Sequence, residues 1–428
     1  MYFISRLFLV IGFISVLIVS VLPKIGIAET LEEAWSTALA ADHTIRAAEK
    51  ATESASEKLL EAKAHRFPRF RLSSAYTVLD NTPSSQASGL EIPVGEDKSL
   101  AYRAGVTVPL YTHFRTKRGI EAALSNTDAA RHEEGTVRQN IKMEVAQAYV
   151  NVLLGISSLT VAESQEKNLA AHSHDVKNLY EEGLVAINDY LASEVALVNA
   201  KQQTLQVRNL LAVAKSTYNK LLGRSLNDAV KLNQLQKFPQ TDTLESLTDR
   251  ALKNRTELLT LEKQEESLQY LALAERAASG PHVAVNGGYS YNENRYITHE
   301  GVWAATIGLT WDIFDGGISR HKSLATKKQA ESLTELRKEL KLAIALQVNQ
   351  VWLDMNESRE RIKVTKQALD QAEENLKVSR DRYQEGLGTN TEVLDAESLR
   401  TTSQVNHIRA NHDSALATLR LLRTIGEL

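Results

Sequence analysis

Between Ile318 and Glu385 the sequence contains neither glycine nor proline. A continuous helix over this run would be on the order of 100 Å long, several times the width of a small domain. Apolar residues recur along it at steps of three and four, which predicts the contact seam of a coiled coil. The predicted seam comprises Leu333, Leu336, Leu340, Ile344, Val348, Val351, Met355, Ile362, Leu369, Ala372, Leu376 and Tyr383.

The end of this run is repeated elsewhere in the chain. Residues Tyr180–Glu194 read YEEGLVAINDYLASE, and residues Tyr383–Glu397, 203 positions later, read YQEGLGTNTEVLDAE. Each segment interrupts a helical pattern with a glycine, where a helix is expected to stop and turn back. The sequence therefore predicts two matching antiparallel helical hairpins with tips at Gly183, Leu184, Gly386 and Leu387.

The repetition extends to the whole chain. At an offset of 213, Leu31 falls on Leu244 and Pro68 on Pro281, so a first helix over 31–66 is matched by one over 244–279. We divide the chain into a first repeat (29–223), a polar connector (224–243, with Pro239) and a second repeat (244–428). Residues 1–28 precede both repeats.

Residues 1–28 have the pattern of a secretory signal. Arg6 precedes an apolar run from Leu7 to Leu22, and the small residue Ala28 suits a cleavage site. An uncleaved anchor is the competing interpretation, although the run is shorter than the ~20 residues that a spanning helix needs. The chain has no cysteine, which leaves no site for a lipid anchor or a disulfide. No later apolar run is expected to reach the length of a transmembrane helix.

Between the helical segments the apolar period changes from 3.6 to 2. Alternating residues over 70–78 and 100–110 predict two strands joined by a polar loop at 80–99, and 283–291 and 303–313 predict two more. Their aromatic residues resemble the girdles of outer-membrane barrels. Four strands cannot close a barrel, and an open sheet edge cannot face lipid. Closure must then be shared, and three chains would leave a channel where two would give a filled lumen. The aromatic residues are Tyr76, Tyr102, Tyr289, Tyr291, Trp303 and Trp311.

Taken together, these features resemble the TolC family of outer-membrane efflux proteins over nearly the whole mature chain. The resemblance rests on the helix ending at Pro68, the corner WDIFDGG at 311–317, the two Gly-Leu tips and the duplication. It implies a mainly α-helical fold with a β-barrel part: a homotrimer closes a 12-stranded barrel in outer-membrane lipid above a periplasmic helical tunnel. The connector would lie in an equatorial region. The tips would dock a periplasmic adaptor that links the tunnel to an inner-membrane pump of the RND, ABC or MFS type.

The resemblance also suggests residues at the tunnel entrance. Glu392 and Asp395 share a helix face, and in a trimer they would form an acidic ring that favours cations; the plainer interpretation is a solvated pair near the start of a helix. Tyr383 and Asp189 match residues that close the entrance in the family. The family's arginine is replaced by Gly388, so closure here is incomplete or differently made.

Other motifs favour no chemistry. The corner Asp315-Gly316-Gly317 lacks the Lys and Ser/Thr of a phosphate-binding loop, and His172 and His174, two apart on a helix, cannot share one metal. No nucleophile and base pattern is present, so neither an enzyme nor a cofactor is predicted, and the mixed charges predict no nucleic-acid partner. The expected function is a passive exit duct. The alternative is a periplasmic coiled-coil scaffold or adaptor held by an uncleaved N-terminus.

Overall fold

The computed structural model of the chain describes residues 28–87, 89–235 and 242–428. The predicted signal segment, apart from Ala28, and Pro239 of the connector lie outside these ranges. The elements run in the order α1 (Leu31–Ala41), α2 (His43–Ala64), β1 (Arg69–Val78), β2 (Ser84–Ala87), β3 (Leu90–Pro93), β4 (Lys98–Tyr111), α3 (Arg115–Glu181), α4 (Ile187–Leu221), α5 (Leu244–Asn254), α6 (Thr256–Ala277), β5 (His282–Asn292), β6 (Gly301–Thr310), α7 (Ile318–Gln384) and α8 (Asn390–Thr424).

Corresponding helices of the two halves have equal lengths. Helices α1 and α5 have 11 residues each, and α2 and α6 have 22. The long helices α3 and α7 have 67 each, and their partners α4 and α8 have 35. A helix of 67 residues spans on the order of 100 Å. The two long helical hairpins that the sequence predicts are therefore present.

The first helix of each half is broken, where the sequence predicted one continuous helix. Asp42 ends α1 and begins α2, because its carboxylate accepts hydrogen bonds from the backbone N–H groups of Thr44 and Ile45. Arg255 occupies the matching position between α5 and α6 and is nearly buried. Its guanidinium donates instead to Glu257, to Gln347 and to the carbonyl of Thr424. The break thus has different causes in the two halves.

The four predicted strands form one antiparallel sheet in the order β1-β4-β5-β6. Its register separates two faces. One cross-strand row on the first face joins Ala104, Tyr289 and Trp303, and a row on the second joins Arg71, Gly105 and Gly288. The first face carries the apolar and aromatic side chains, with Tyr102 stacked on Tyr291 at 4.6 Å between ring centres. The second carries the polar ones.

The connections around the sheet differ in two ways from the predictions. The loop at 80–99 contains a short hairpin of β2 and β3, and β4 begins already at Lys98. Each half turns from its last strand into its long helix through two residues with positive φ. These are Gly316 and Gly317 in the second half, but His113 and Phe114 in the first. The same strained corner is therefore built once with glycine and once without it.

The densest core surrounds the middle of α3, where its apolar residues pack against α1, α2 and α4; Tyr149 and Tyr218 are almost fully buried there. Among the described helices, α3 contains an 18-residue segment apolar enough to cross a membrane, and half of that segment is buried in the molecule. The prediction that no such run follows residue 28 is therefore wrong by composition. Its apolar residues serve this core.

Each hairpin also leaves an apolar stripe uncovered. On α7, Leu342, Leu346, Leu353, Val364 and Val378 follow at spacings of 4, 7, 11 and 14, so they share one helix face, and all are exposed. The buried seam residues Ile344, Val348, Met355, Leu369, Ala372 and Leu376 lie on the other side. Leu336, predicted in the seam, is 54% exposed. Helix α4 has a similar exposed stripe: Ile187, Leu191, Val195, Val198, Leu205 and Val213.

Candidate functional site

Both hairpin tips end their long helix in the same way. Gly183 and Gly386 adopt φ of +74° and +72°. The N–H of Leu184 donates to the carbonyl of Leu179, and that of Leu387 to the carbonyl of Arg382, each at 2.8 Å. These bonds are the six-to-one closure of a Schellman motif, which needs a left-handed residue before it. A Cβ on either glycine would meet no atom within 4 Å, so backbone conformation alone explains the two glycines.

The leucines after the two glycines face outward. Leu184 and Leu387 are each 67% exposed. A leucine at this position of a Schellman motif often packs back on its own helix, and here neither does so. Each tip therefore ends in an exposed leucine at the same position of the motif.

The second tip explains the glycine at position 388. A Cβ at Gly388 would lie 3.2 Å from the Arg382 Cβ, the Tyr383 nitrogen and a Glu392 carboxylate oxygen. Arg382 fills the region instead. Its guanidinium donates to the carbonyl of Leu387 at 3.0 Å and approaches Glu392 at 3.8 Å. The tip is thus closed around an arginine from α7, in a turn where a side chain at 388 would crowd its neighbours.

Asp189 and Tyr383, named from the family resemblance, lie in one cluster with two residues that the sequence did not indicate. Asn390, at the start of α8, donates to the carbonyl of Asp189 at 2.8 Å and accepts from the His172 Nε2–H at 2.7 Å. The His172 and Tyr383 rings meet edge to face at 5.7 Å. We call His172, Asp189, Tyr383 and Asn390 the entrance cluster. It joins α3, α4, α7 and α8.

The electrostatics of the entrance cluster centre on Tyr383. Burial raises the pKa of the Tyr383 hydroxyl, and the nearby Asp189 carboxylate raises it further. This hydroxyl is shielded from solvent and has no hydrogen-bond partner among the described residues. Asn390 is 2% exposed, with both ends of its amide bonded to other elements. In the sequence, His172 stands out only as a possible metal ligand, because its hydrogen-bond partner Asn390 is 218 positions away.

Glu392 and Asp395 lie on the first turns of α8, and both are exposed. The Glu392 backbone N–H donates to the Thr389 hydroxyl, which caps the helix. The only described ion-pair partner of Glu392 is Arg382, at 3.8 Å, and no described ion pair involves Asp395. Both carboxylates are therefore accessible to solvent. Arg382 partly offsets the charge of one of them.

The final glutamate of the second repeated motif is buried, which the sequence did not predict. Glu397 is 2% exposed and accepts from Arg400 at 2.6 Å, Arg380 at 3.0 Å and Asn168 at 3.3 Å. Glu194, its counterpart, accepts from the Ser173 hydroxyl. Since Asn168 belongs to α3, and Arg380 to α7, Glu397 ties the two hairpins together behind the tips.

Two 67-residue helices, each with a returning partner, joined to an antiparallel sheet with one apolar face, define a class of outer-membrane channel proteins. The chain belongs to the outer membrane efflux protein family, whose model matches residues 34–224 and 247–427. It is accordingly a transport channel of the outer membrane with a helical periplasmic part. The resemblance drawn from the sequence is confirmed, and the scaffold alternative is not favoured.

Individual relatives agree with this assignment. The chain is 21% identical to outer membrane protein TolC of Vibrio cholerae over 417 residues, 94% of this chain and 91% of the relative. It is 22% identical to outer membrane protein OprJ of Pseudomonas aeruginosa over 366 residues, 81% and 74% of the two chains. The crystal structure of VceC from Vibrio cholerae superposes with a TM-score of 0.80 at 16% identity, covering 92% of this chain and 96% of that one.

Proposed function

We propose that three copies of the chain form a passive exit duct for a tripartite efflux or type I secretion system. This proposal rests on the open sheet of the single chain, whose two edge strands lack an outer partner in the part of the chain that the structure describes. Strands β1 and β6 are the two edges of the sheet, and an unpaired edge cannot face lipid. The alternation of antiparallel neighbours makes β1 and β6 run in opposite directions. The β1 edge of one copy can therefore pair antiparallel with the β6 edge of the next.

The helices support the same closure. Within the chain the two hairpins meet through α3 and α8, which leaves α4 on one flank and α7 on the other. These flanks carry the exposed apolar stripes. A surface that meets a different surface on the next copy generates a ring when the rotation closes. Three copies give 12 strands and an open lumen, whereas two would give a lumen filled by side chains.

We assign the tips to a periplasmic adaptor that links the duct to an inner-membrane pump of the RND, ABC or MFS type. The exposed Leu184 and Leu387 support this assignment. A photo-crosslinking residue at either position is expected to capture the adaptor in cells, while one at Lys201, on an exposed part of α4, is not. Capture from Lys201 but from neither tip would contradict tip docking.

We assign entrance closure to the entrance cluster and ion preference to Glu392 and Asp395. The hydrogen bonds of Asn390 hold α8 to α3 and α4, so opening requires that these bonds break. Glu392→Gln with Asp395→Asn is expected to reduce cation preference in single-channel recordings, because a ring of carboxylates attracts cations. Unchanged selectivity, together with unchanged block by multivalent cations, would remove this assignment.

A further inference from the structure

The strands of the sheet carry positive charge without compensation. The four segments 69–78, 98–111, 282–292 and 301–310 contain no aspartate or glutamate. They contain three arginines, Arg69, Arg71 and Arg103, whose positions in the register place all three on the polar face. In the described ranges Arg71 and Arg103 form no ion pair. The acidic residues of this end, such as Glu96 with its partner Arg295, lie in the loops.

These arginines border a groove of about 590 Å³ on the polar face. Arg71 lies opposite Gly105, which lies opposite Gly288 and then Ala304, so beyond Arg71 this row across the sheet has no long side chain. Gly288 approaches β4 so closely that a Cβ would collide with the backbone. The floor of the groove is therefore bare next to the guanidinium of Arg71.

Hydroxyl and amide groups complete the groove. Ser73 faces Arg103 across β1 and β4. On the other side of the bare row, the Thr107 hydroxyl donates to the Asn286 side-chain oxygen at 2.8 Å, which leaves the Asn286 amide N–H groups available to other acceptors. Arg71 and Arg103 are diagonal neighbours, about 7–8 Å apart along the sheet. Like charges this close repel, and an anion between them would remove the repulsion.

We propose that this polar face is a binding band for soluble, multiply charged anions such as phosphate- or carboxylate-bearing solutes in the barrel lumen. The proposal rests on the proposed duct, because closure of three sheets turns the polar faces inward. Rings of arginine select anions in pores, and walls of low dielectric strengthen their field. The duct would then have an acidic entrance at the tips and a basic band in the barrel, in the half of the strands next to the helices.

The test uses the purified full-length trimer in planar phosphatidylcholine bilayers, with sodium tripolyphosphate as the probe. Tripolyphosphate added on the barrel side is expected to block single-channel current in the wild type. In Arg71→Gln with Arg103→Gln the blocking concentration should rise about tenfold or more, because charge-assisted hydrogen bonds are lost. The lysine pair, Arg71→Lys with Arg103→Lys, should retain most of the block.

One control isolates the band. Arg295→Gln removes a loop arginine already paired with Glu96 and should leave the block unchanged. Absence of barrel-side block in the wild type, or equal block in the glutamine pair, would overturn the band while leaving the duct intact. A trimer that inserts no channels would instead refute the proposed duct, and the band with it.

Discussion

At the scale of single residues, Glu397 does more than its place in a repeated motif suggests. Its carboxylate is buried against Arg380, Arg400 and Asn168, which lie on three different helices. A buried pair gains little net stability, but removal of one partner leaves the other charge buried and uncompensated. Arg400, with its side chain 11% exposed, would be left in that state.

Glu397→Ala is therefore expected to destabilise the protein by about 3–5 kcal/mol. Glu392→Ala is the matched control five positions earlier on α8. Its side chain is 45% exposed and 3.8 Å from its partner, so it should cost at most about 1 kcal/mol. Thermal unfolding followed by circular dichroism measures both variants. Equal midpoints would show that Glu397 does not hold the hairpins together.

The tips show what local sequence can predict about a site. Gly183 and Gly386 were found because a turn from a helix favours a left-handed glycine, and that preference is local. Asn390 and Glu397 were missed because their partners on the facing helix α3, His172 and Asn168, are distant in sequence. A buried polar residue on a helix looks like a solvated one until the facing helix is known. Gly388, which stands where the family has an arginine, was the one indication in the sequence that this tip differs from that of the family.

At the scale of elements, the break between α1 and α2 depends on a cap. Asp42→Ala should lower stability by about 1 kcal/mol, because two backbone N–H groups at the start of α2 lose their acceptor. Asp42→Asn, which keeps an oxygen in place, should restore most of it. Hydrogen exchange at Thr44 and Ile45 locates the effect, and protection unchanged in the alanine variant would contradict it.

The matching break in the second half predicts a dependence on pH. Burial raises the pKa of the Glu257 carboxyl, but the hydrogen bond from Arg423, a backbone hydrogen bond and the positive charges of Arg423 and Arg255 together outweigh burial, and the folded pKa lies below the ordinary value of 4.5. Because the unfolded state then binds the proton more tightly, this stabilisation is present above pH 4.5 and is lost as pH falls through the folded pKa.

Glu257→Gln should therefore flatten the loss of stability below about pH 4.5 and lower stability near neutral pH. Denaturation midpoints measured from pH 3 to 7 test this. Glu245→Gln, on the exposed first turn of α5, serves as the control. A variant as acid-sensitive as the wild type would show that the Arg423 bond is not the cause.

The types of the elements could be predicted from the spacing of apolar residues, whereas the breaks within the first helix of each half could not. The change from 3.6 to 2 identified all four strands of the main sheet, and a run without glycine or proline identified α7. The breaks at Asp42 and Arg255 escaped because neither residue is a strong helix breaker. Their causes are a side-chain cap in one case and contacts from α7 and α8 in the other.

At the scale of the whole molecule, the single chain has packed hydrophobic cores but leaves surfaces uncovered at its flanks. Two sheet edges and two apolar stripes, on α4 and α7, have nothing against them within the described residues. The α7 stripe could not be recognised in the sequence, because a helix with apolar residues on two faces shows no single polar face. Oligomeric closure accounts for all four surfaces together.

Leu191→Glu with Val195→Glu should prevent assembly, since charges would enter an apolar contact between copies. Each chain should remain helical, because the stripe does not face its own core. Gln203→Glu, on another face of α4, should assemble normally. Size-exclusion chromatography with light scattering, together with circular dichroism, separates lost assembly from lost folding. Assembled double-glutamate protein would place the contact elsewhere.

We expect three copies of the chain to close one barrel and one tunnel. Native mass spectrometry of protein extracted from outer membranes in mild detergent, without heating, tests it most directly. The predicted result is one dominant species with three times the mass of the chain, which becomes monomeric on boiling. A dominant monomer or dimer under the same gentle conditions would contradict the claim.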